Sequence, residues 1–200
     1  MHKNLITGLT TMVMIGASMA AHAQSDASSM TERNVKQQQR IEQGLESGAL
    51  NTREAARLER GQARVDRMEA QALKDGQLSE QERARIDKAQ DTQSRAIYSQ
   101  KHDAQTADPT SQSSQRMRTA VRRDVNQQQR IDDGVKNGSL TNQEVAKLQR
   151  GQAANSRQQA RFGRDGEVGA GESVRMARHE NRQSARIARR KHDAHVAPVK

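Results

Sequence analysis

Bulky aliphatic residues are sparse along this chain and fall on a helical beat. Ile41 and Leu45 are four apart, Leu58 and Val65 are seven apart, and Ile86 stands among alanines and charged residues in a similar setting. The residues between them are mostly Ala, Arg, Glu and Gln, all good helix formers. The breaks follow one design in Gly48-Ala49-Leu50-Asn51-Thr52-Arg53-Glu54 and again in Gly76-Gln77-Leu78-Ser79-Glu80-Gln81-Glu82. Glycine frees the backbone to end a helix, leucine plugs the turn, and Asn51 with Glu54, or Ser79 with Glu82, has the spacing of a capping box. The pattern predicts three helices, near 33–47, 52–74 and 80–100, packed as antiparallel hairpins. Leu50, Leu58, Val65, Leu73, Leu78 and Ile86 would form their seam, with Ile97 and Tyr98 closing its end.

The pattern then occurs a second time. Asn34 to Ala104 aligns without a gap on Asp124 to Ala194, with 29 of 71 pairs identical. The expected fold is all-α, made of two tandem three-helix units at 34–104 and 124–194. A flexible linker at 105–123, marked by Asp108-Pro109-Thr110-Ser111, would join them. The copies are unequal. Val65 is replaced by Asn155, Leu73 by Gly163 and the capping Ser79 by Gly169. A lost aliphatic contact costs about 1–3 kcal/mol. The second unit is therefore expected to be less stable, with a loosely docked last helix.

Residues 1–23 read as a secretory signal peptide: a basic start at His2 and Lys3, an uncharged apolar stretch from Leu5 to Ala17, and Ala21-His22-Ala23 as a small-x-small cleavage site. The expected destination is the periplasm or the exterior, with no membrane-spanning segment after the signal. The chain has no cysteine, which excludes disulfides, cysteine-held metal and the usual bacterial lipid attachment. One Phe, one Tyr and no Trp leave material for narrow seams between helices but not for the thick core of an enzyme. No nucleophile, phosphate loop or dinucleotide fingerprint stands out, so neither catalysis nor a cofactor is expected.

Two sets of residues are the candidates for metal. Gln71 to Glu82 resembles a degenerate EF-hand loop in Asp75, Gly76, Leu78 and Glu82, yet the first and third ligand positions hold Gln71 and Leu73. His192 and His195 are three apart beside several cations, which is short of the three or four convergent ligands a transition metal needs. Charge is more informative. The full chain carries a formal +10; the first copy is near neutral, whereas the last helix of the second concentrates Arg175, Arg178, Arg182, Arg186, Arg189, Arg190 and Lys191. Arg178, Arg182 and Arg186 are four apart and stack along one helix face, an anion-binding row for acidic proteins or an anionic envelope surface. No aromatic residue is there to stack on bases, and export argues against nucleic acid.

The secreted, Gln- and Arg-rich helical pattern looks like that of uncharacterised exported helical repeat proteins of proteobacteria. It is also distantly similar to the periplasmic chaperones of the Spy/CpxP group, whose hairpins carry Leu-Thr-x-x-Gln. The matching stretches are Leu140-Thr141-Asn142-Gln143-Glu144, Leu78-Ser79-Glu80-Gln81-Glu82 and Leu50-Asn51-Thr52-Arg53-Glu54, where Glu stands for the final Gln. That resemblance implies a basic concave surface holding unfolded clients without ATP, and a homo-oligomer. The expected function is that of a noncatalytic envelope protein binding proteins or anionic surfaces, chaperone-like in the resemblance. The alternative is a metal-responsive structural protein using the degenerate loop or the histidines.

Overall fold

The computed structural model describes residues 16–192, with side chains described from residue 27. The signal-peptide reading of 1–23 therefore lies largely outside the described residues, as does His195. Six helices follow one another: α1 (Gly16–Ser47), α2 (Thr52–Ala72), α3 (Glu80–Lys101), α4 (Gln112–Lys136), α5 (Asn142–Phe162) and α6 (Ala170–His192). Among the described residues there is no strand, and no helix is long and apolar enough to cross a membrane. The chain is all-α.

The helix ends are written in the sequence. Asn51, Ser79 and Thr141 each accept the backbone N–H of the glutamate three residues on, and that glutamate accepts the cap's own N–H in return. The start of α6 keeps half of this device: Gly169 has no side chain to offer, but its N–H donates to Glu172 Oε2 at 3.0 Å. Gly76 and Gly166 close the single 3-10 turns after α2 and α5 at φ 90° and 98°, a conformation in which a side chain is strained.

The linker is shorter than expected. Residues 112–123 already belong to α4, and the connection from α3 is 102–111. It packs back on the α1–α2 turn through the Ala107 N–H, which donates to Gly48 O at 2.8 Å.

Two three-helix units are recognisable, but they share one interior. The most extensive packing in the molecule is between copies, α2 against α5 and α1 against α4. Both pairs are antiparallel. Glu32, Glu42 and Glu46 along α1 meet Lys136, Arg122 and Arg118 of α4 at 3.4, 2.6 and 3.7 Å. Arg53 at the start of α2 donates to Asp165 O beyond α5 at 2.6 Å, and Asn142 at the start of α5 donates to Gly76 O beyond α2 at 3.0 Å. Helix α3 packs across α1 and α2 as α6 packs across α4 and α5. These are the equivalences of a local two-fold axis, so the duplication produces an internal dimer.

The apolar interior lies in two clusters, each drawn from both copies. One joins Ile41, Leu45, Leu50, Leu58 and Ile97 to Met117, Val121, Phe162, Val168 and Met176. The other joins Met30, Leu73 and Ile86 to Ile131, Val135, Leu140, Val145, Leu148 and Ile187. The replacements that suggested a failing seam are thus absorbed by new packing. A Cβ at Gly163 would lie 2.4 Å from Met117 Cε, so a methionine of α4 fills the space of the missing leucine. Phe162 adds volume where the first copy has Ala72, and Asn155 is buried in hydrogen bonds to Asp124 and Gln127. Restoring the leucine, Gly163→Leu, is expected to destabilise by about 1–3 kcal/mol through overpacking. Urea unfolding reads this as a lower midpoint; a raised midpoint would show that the seam was indeed incomplete.

Tyr98 does not close the seam. The buried stripe of α3 is Ile86, Gln90, Gln93 and Ile97, and one further residue turns Tyr98 out to solvent, 61% exposed, where it stacks on His102.

Candidate functional site: an arginine face over a carboxyl belt

Between the two apolar clusters the bundle interior is polar. Asn34, Gln37 and Gln38 of α1, Glu59, Gln62, Asp66 and Glu69 of α2, and Gln90 and Gln93 of α3 are all buried. Their equivalents on α4, α5 and α6 are buried too: Asp124, Gln127, Gln128, Gln149, Gln152, Ser156, Gln159, Glu180 and Gln183, joined by Asn155 where the first copy has Val65. Long amide side chains reach neighbouring backbones across the helices. Gln37 donates to Gln90 O at 2.8 Å and Gln127 to Glu180 O at 2.9 Å. Gln93 and Gln183 each donate to the carbonyl of Leu58 or Leu148 at 2.9 Å. To do so they pass directly over Gly61 and Gly151, where a Cβ would lie 2.0 Å from the glutamine Oε1. That close approach explains a glycine in the middle of both α2 and α5 despite its cost of about 1 kcal/mol in a helix.

The carboxyls of this belt are strongly perturbed. Burial pushes Glu59 up to about 7, opposed by the amide of Gln38. Burial pushes Glu69 up to about 8, opposed by donors on Asn34 and Gln90. Asp66 and Asp124 are raised well above the usual range by burial and by neighbouring carboxyls. Glu180 is raised by burial although Arg123 bonds it at 3.0 Å.

Outside the belt, α2 shows the opposite charge. Every exposed position from 53 to 67 is arginine: Arg53, Arg57, Arg60, Arg64 and Arg67, at steps of four and three that hold one helix face. The acids of the same helix, Glu54, Glu59, Asp66 and Glu69, are all buried. Among the described residues none of these five arginines forms an ion pair, and Arg53 spends its guanidinium on a backbone oxygen. Antiparallel beside them, α5 and its closing turn expose Lys147, Arg150, Arg157, Arg161 and Arg164. Arg53, Ala56, Arg57, Arg60 and Arg164 line a cleft of about 240 Å³. Further along, a groove of about 450 Å³ between α2 and α3 is lined by Met68, Ala72 and Ile86, with Arg64, Arg67, Gln71, Arg85 and the capping Glu82 around them.

The residues singled out from the sequence are dispersed around this face. Arg175, Arg178, Arg182, Arg186 and Arg189 are exposed along α6. Arg190 leaves the row, half-buried and 3.7 Å from Glu144, while Lys191 lines a separate cleft with Arg130 and Ser184. Asp75 accepts the Gln77 N–H and Glu82 accepts the Ser79 N–H and hydroxyl, so both side chains are occupied by the turn and the cap. His192 ends α6, exposed. Among the described residues, no three His, Asp or Glu side chains are placed to hold a metal ion.

Neither the α2 face nor the carboxyl belt was singled out from the sequence. The signal was present in the separation of arginines at 53, 57, 60, 64 and 67 from acids at 59, 66 and 69, and in the paired glycines at 61 and 151. No protein-family model matches the chain, and no curated protein or solved structure is significantly similar to it.

Proposed function

We propose that this chain is a noncatalytic envelope protein that binds anionic surfaces through the arginine face of α2 and α5. The observation that supports this reading is the unbroken run of arginine at the exposed positions of α2 from 53 to 67, with the acids that would neutralise it turned into the core. Guanidinium groups suit phosphate and carboxylate because they offer paired donors and are weakly hydrated. The rigid two-helix platform holds them in place, so little ordering is needed on binding. The groove lined by Met68, Ala72 and Ile86 gives the face an apolar strip beside its charges, which fits phospholipid surfaces and also acidic, partly unfolded polypeptides in a chaperone-like role. On α6, which packs beside α5, Arg175, Arg178, Arg182, Arg186 and Arg189 are further exposed basic groups.

Vesicle binding tests the reading. Protein beginning at Gln24 is expected to sediment with vesicles containing anionic phospholipid, to ignore zwitterionic ones, and to dissociate as salt rises from 50 to 500 mM. Equal binding to both vesicle types, or none to either, would remove the proposal. Suppression of client aggregation without vesicle binding would transfer the face to a protein partner.

A further inference from the structure

The duplication has performed an exchange in the belt that bears on its protonation. Glu59 corresponds to Gln149, Glu69 to Gln159, Asp124 to Asn34 and Glu180 to Gln90. Bonds survive with their parties reversed. In the first copy the amide of Asn34 on α1 donates to Glu69 Oε2 on α2 at 2.7 Å. In the second, the amide of Gln159 on α5 donates to Asp124 Oδ2 on α4 at 2.8 Å. A carboxamide is neutral, has nearly the shape of an uncharged carboxylic acid, and supplies a donor that an ionised carboxylate lacks. A site that accepts either residue is a site suited to the neutral acid.

The donor balance agrees. Thirteen buried side-chain polar atoms meet no partner among the described residues; eleven are carbonyl or carboxyl oxygens, Asp66 Oδ2 among them, against two that carry hydrogens, the Ser156 hydroxyl and Gln149 Nε2. An interior so rich in acceptors is short of hydrogens, and ionised carboxylates would only add acceptors.

The charged groups facing the belt do not neutralise it. From α1, Arg33 is near Glu69, but its guanidinium is bonded to Asp87 and Asp91 of α3. From α4, Arg123 bonds Glu180 of α6. From α6, His179 meets Asn155 at 2.6 Å, and burial, with the nearby Arg182 and Arg186, holds it below its ordinary value. The groups that α3 and α5 turn inward are the amides and Ser156, and the remaining ionisable neighbours are the carboxyls themselves. Buried charge without a partner is costly, and such groups neutralise instead.

We infer that the belt is a proton-binding site: the folded chain carries Glu59, Asp66, Glu69 and Asp124 as uncharged acids, takes up protons as it folds, and is stabilised by mild acidity. The sign follows from the order of ionisation. Below about pH 3 the four groups are protonated in folded and unfolded chains alike, and their contribution to stability is complete. As pH rises, the unfolded chain ionises first, at ordinary carboxyl values, while Glu59 and Glu69 hold their protons to about 7 and about 8. Each proton so held lowers the folding constant about tenfold per pH unit. The loss ends once the folded groups also ionise. With four carboxyls uncharged, the folded chain is four units more positive than the formal +10.

Infrared spectroscopy of the folded full-length mature chain in D2O at pH 6 tests this directly. The expected result is a carbonyl band of protonated carboxylic acid that weakens in the Glu59→Gln, Glu69→Gln variant, which places the second copy's own residues in the first. A spectrum at pH 6 showing carboxylate alone overturns the inference. Between pH 5 and 6.5, the ratio of the wild-type folding constant to that of the variant should fall about a hundredfold per pH unit, tenfold for each group. Parallel pH profiles would also overturn it. If the variant fails to fold, the wild-type band decides.

Discussion

Cut at residue 107, the chain is expected to yield two halves that do not fold as independent monomers. Each apolar cluster takes residues from both copies, so an isolated first half would expose Ile41, Leu45, Leu50 and Leu58 where α4 and α5 now pack on α1 and α2. Re-exposing a large aliphatic side chain costs about 1.5–3 kcal/mol, and a half of this size has only a few kcal/mol of stability to lose. The buried amides and carboxyls of the belt would lose their shielding at the same time.

The local two-fold axis gives a half one escape, pairing with another half in place of its covalent partner. Electrostatics decides which. Along the α1–α4 contact, α1 brings Glu32, Glu42 and Glu46 and α4 brings Lys136, Arg122 and Arg118. In a dimer of first halves, Glu32 takes the place of Arg122 and Glu46 that of Lys136, so glutamate faces glutamate at both contacts. In a dimer of second halves, Asp132 takes the place of Glu42 but Arg122 takes that of Glu32, facing Lys136. The mixed pair alone keeps all three ion pairs. Each is worth at most about 1 kcal/mol at an exposed site, but the exchange replaces attraction with repulsion and so acts twice. Separately purified halves should therefore be unfolded or weakly dimeric, and should regain full helicity and a single cooperative melt when mixed one to one. Circular dichroism with analytical ultracentrifugation reads both. A first half that melts cooperatively as a monomer would refute the shared core.

Much of the local structure was legible in the residues. The turns at Gly48 and Gly76 and the caps at Asn51, Ser79 and Thr141 appear where their spacing puts them, because these depend on residues within one turn of each other. Partnership between the copies was not legible, since the same apolar stripe serves a seam within a hairpin or a seam between duplicates. The belt was hidden for a related reason. Gln62, Asp66 and Glu69 at helical spacing look like a solvated face until another helix is known to cover them. Net charge concealed the arginine face as well. The first copy has nearly equal numbers of acids and bases, and that total does not record that on α2 the bases point out and the acids point in. On α6 the charge excess is visible without knowing which residues are buried.

Neutralising Arg57, Arg60, Arg64 and Arg67 together to glutamine is expected to weaken binding to anionic vesicles about a thousandfold while leaving the fold intact. Each basic side chain close to an anionic surface contributes about 1 kcal/mol, so four contribute about 4 kcal/mol, or nearly three powers of ten. The fold should tolerate the change because these positions are exposed and hold no ion pair among the described residues, and glutamine keeps the helix propensity. Neutralising Arg178, Arg182 and Arg186 on α6 removes three charges from a single helix edge, and the expected loss is smaller, at most about a hundredfold. The contrast separates a specific platform from a diffuse attraction. If binding depended only on net charge, the loss would track the number of arginines removed wherever they stood, and the salt dependence would shift equally per residue. If α2 and α5 form the contact, the α2 variant should lose more per residue, and its remaining binding should respond less steeply to salt. Unchanged affinity in the α2 variant, with thermal melting confirming that it is folded, would reject the α2–α5 face as the site.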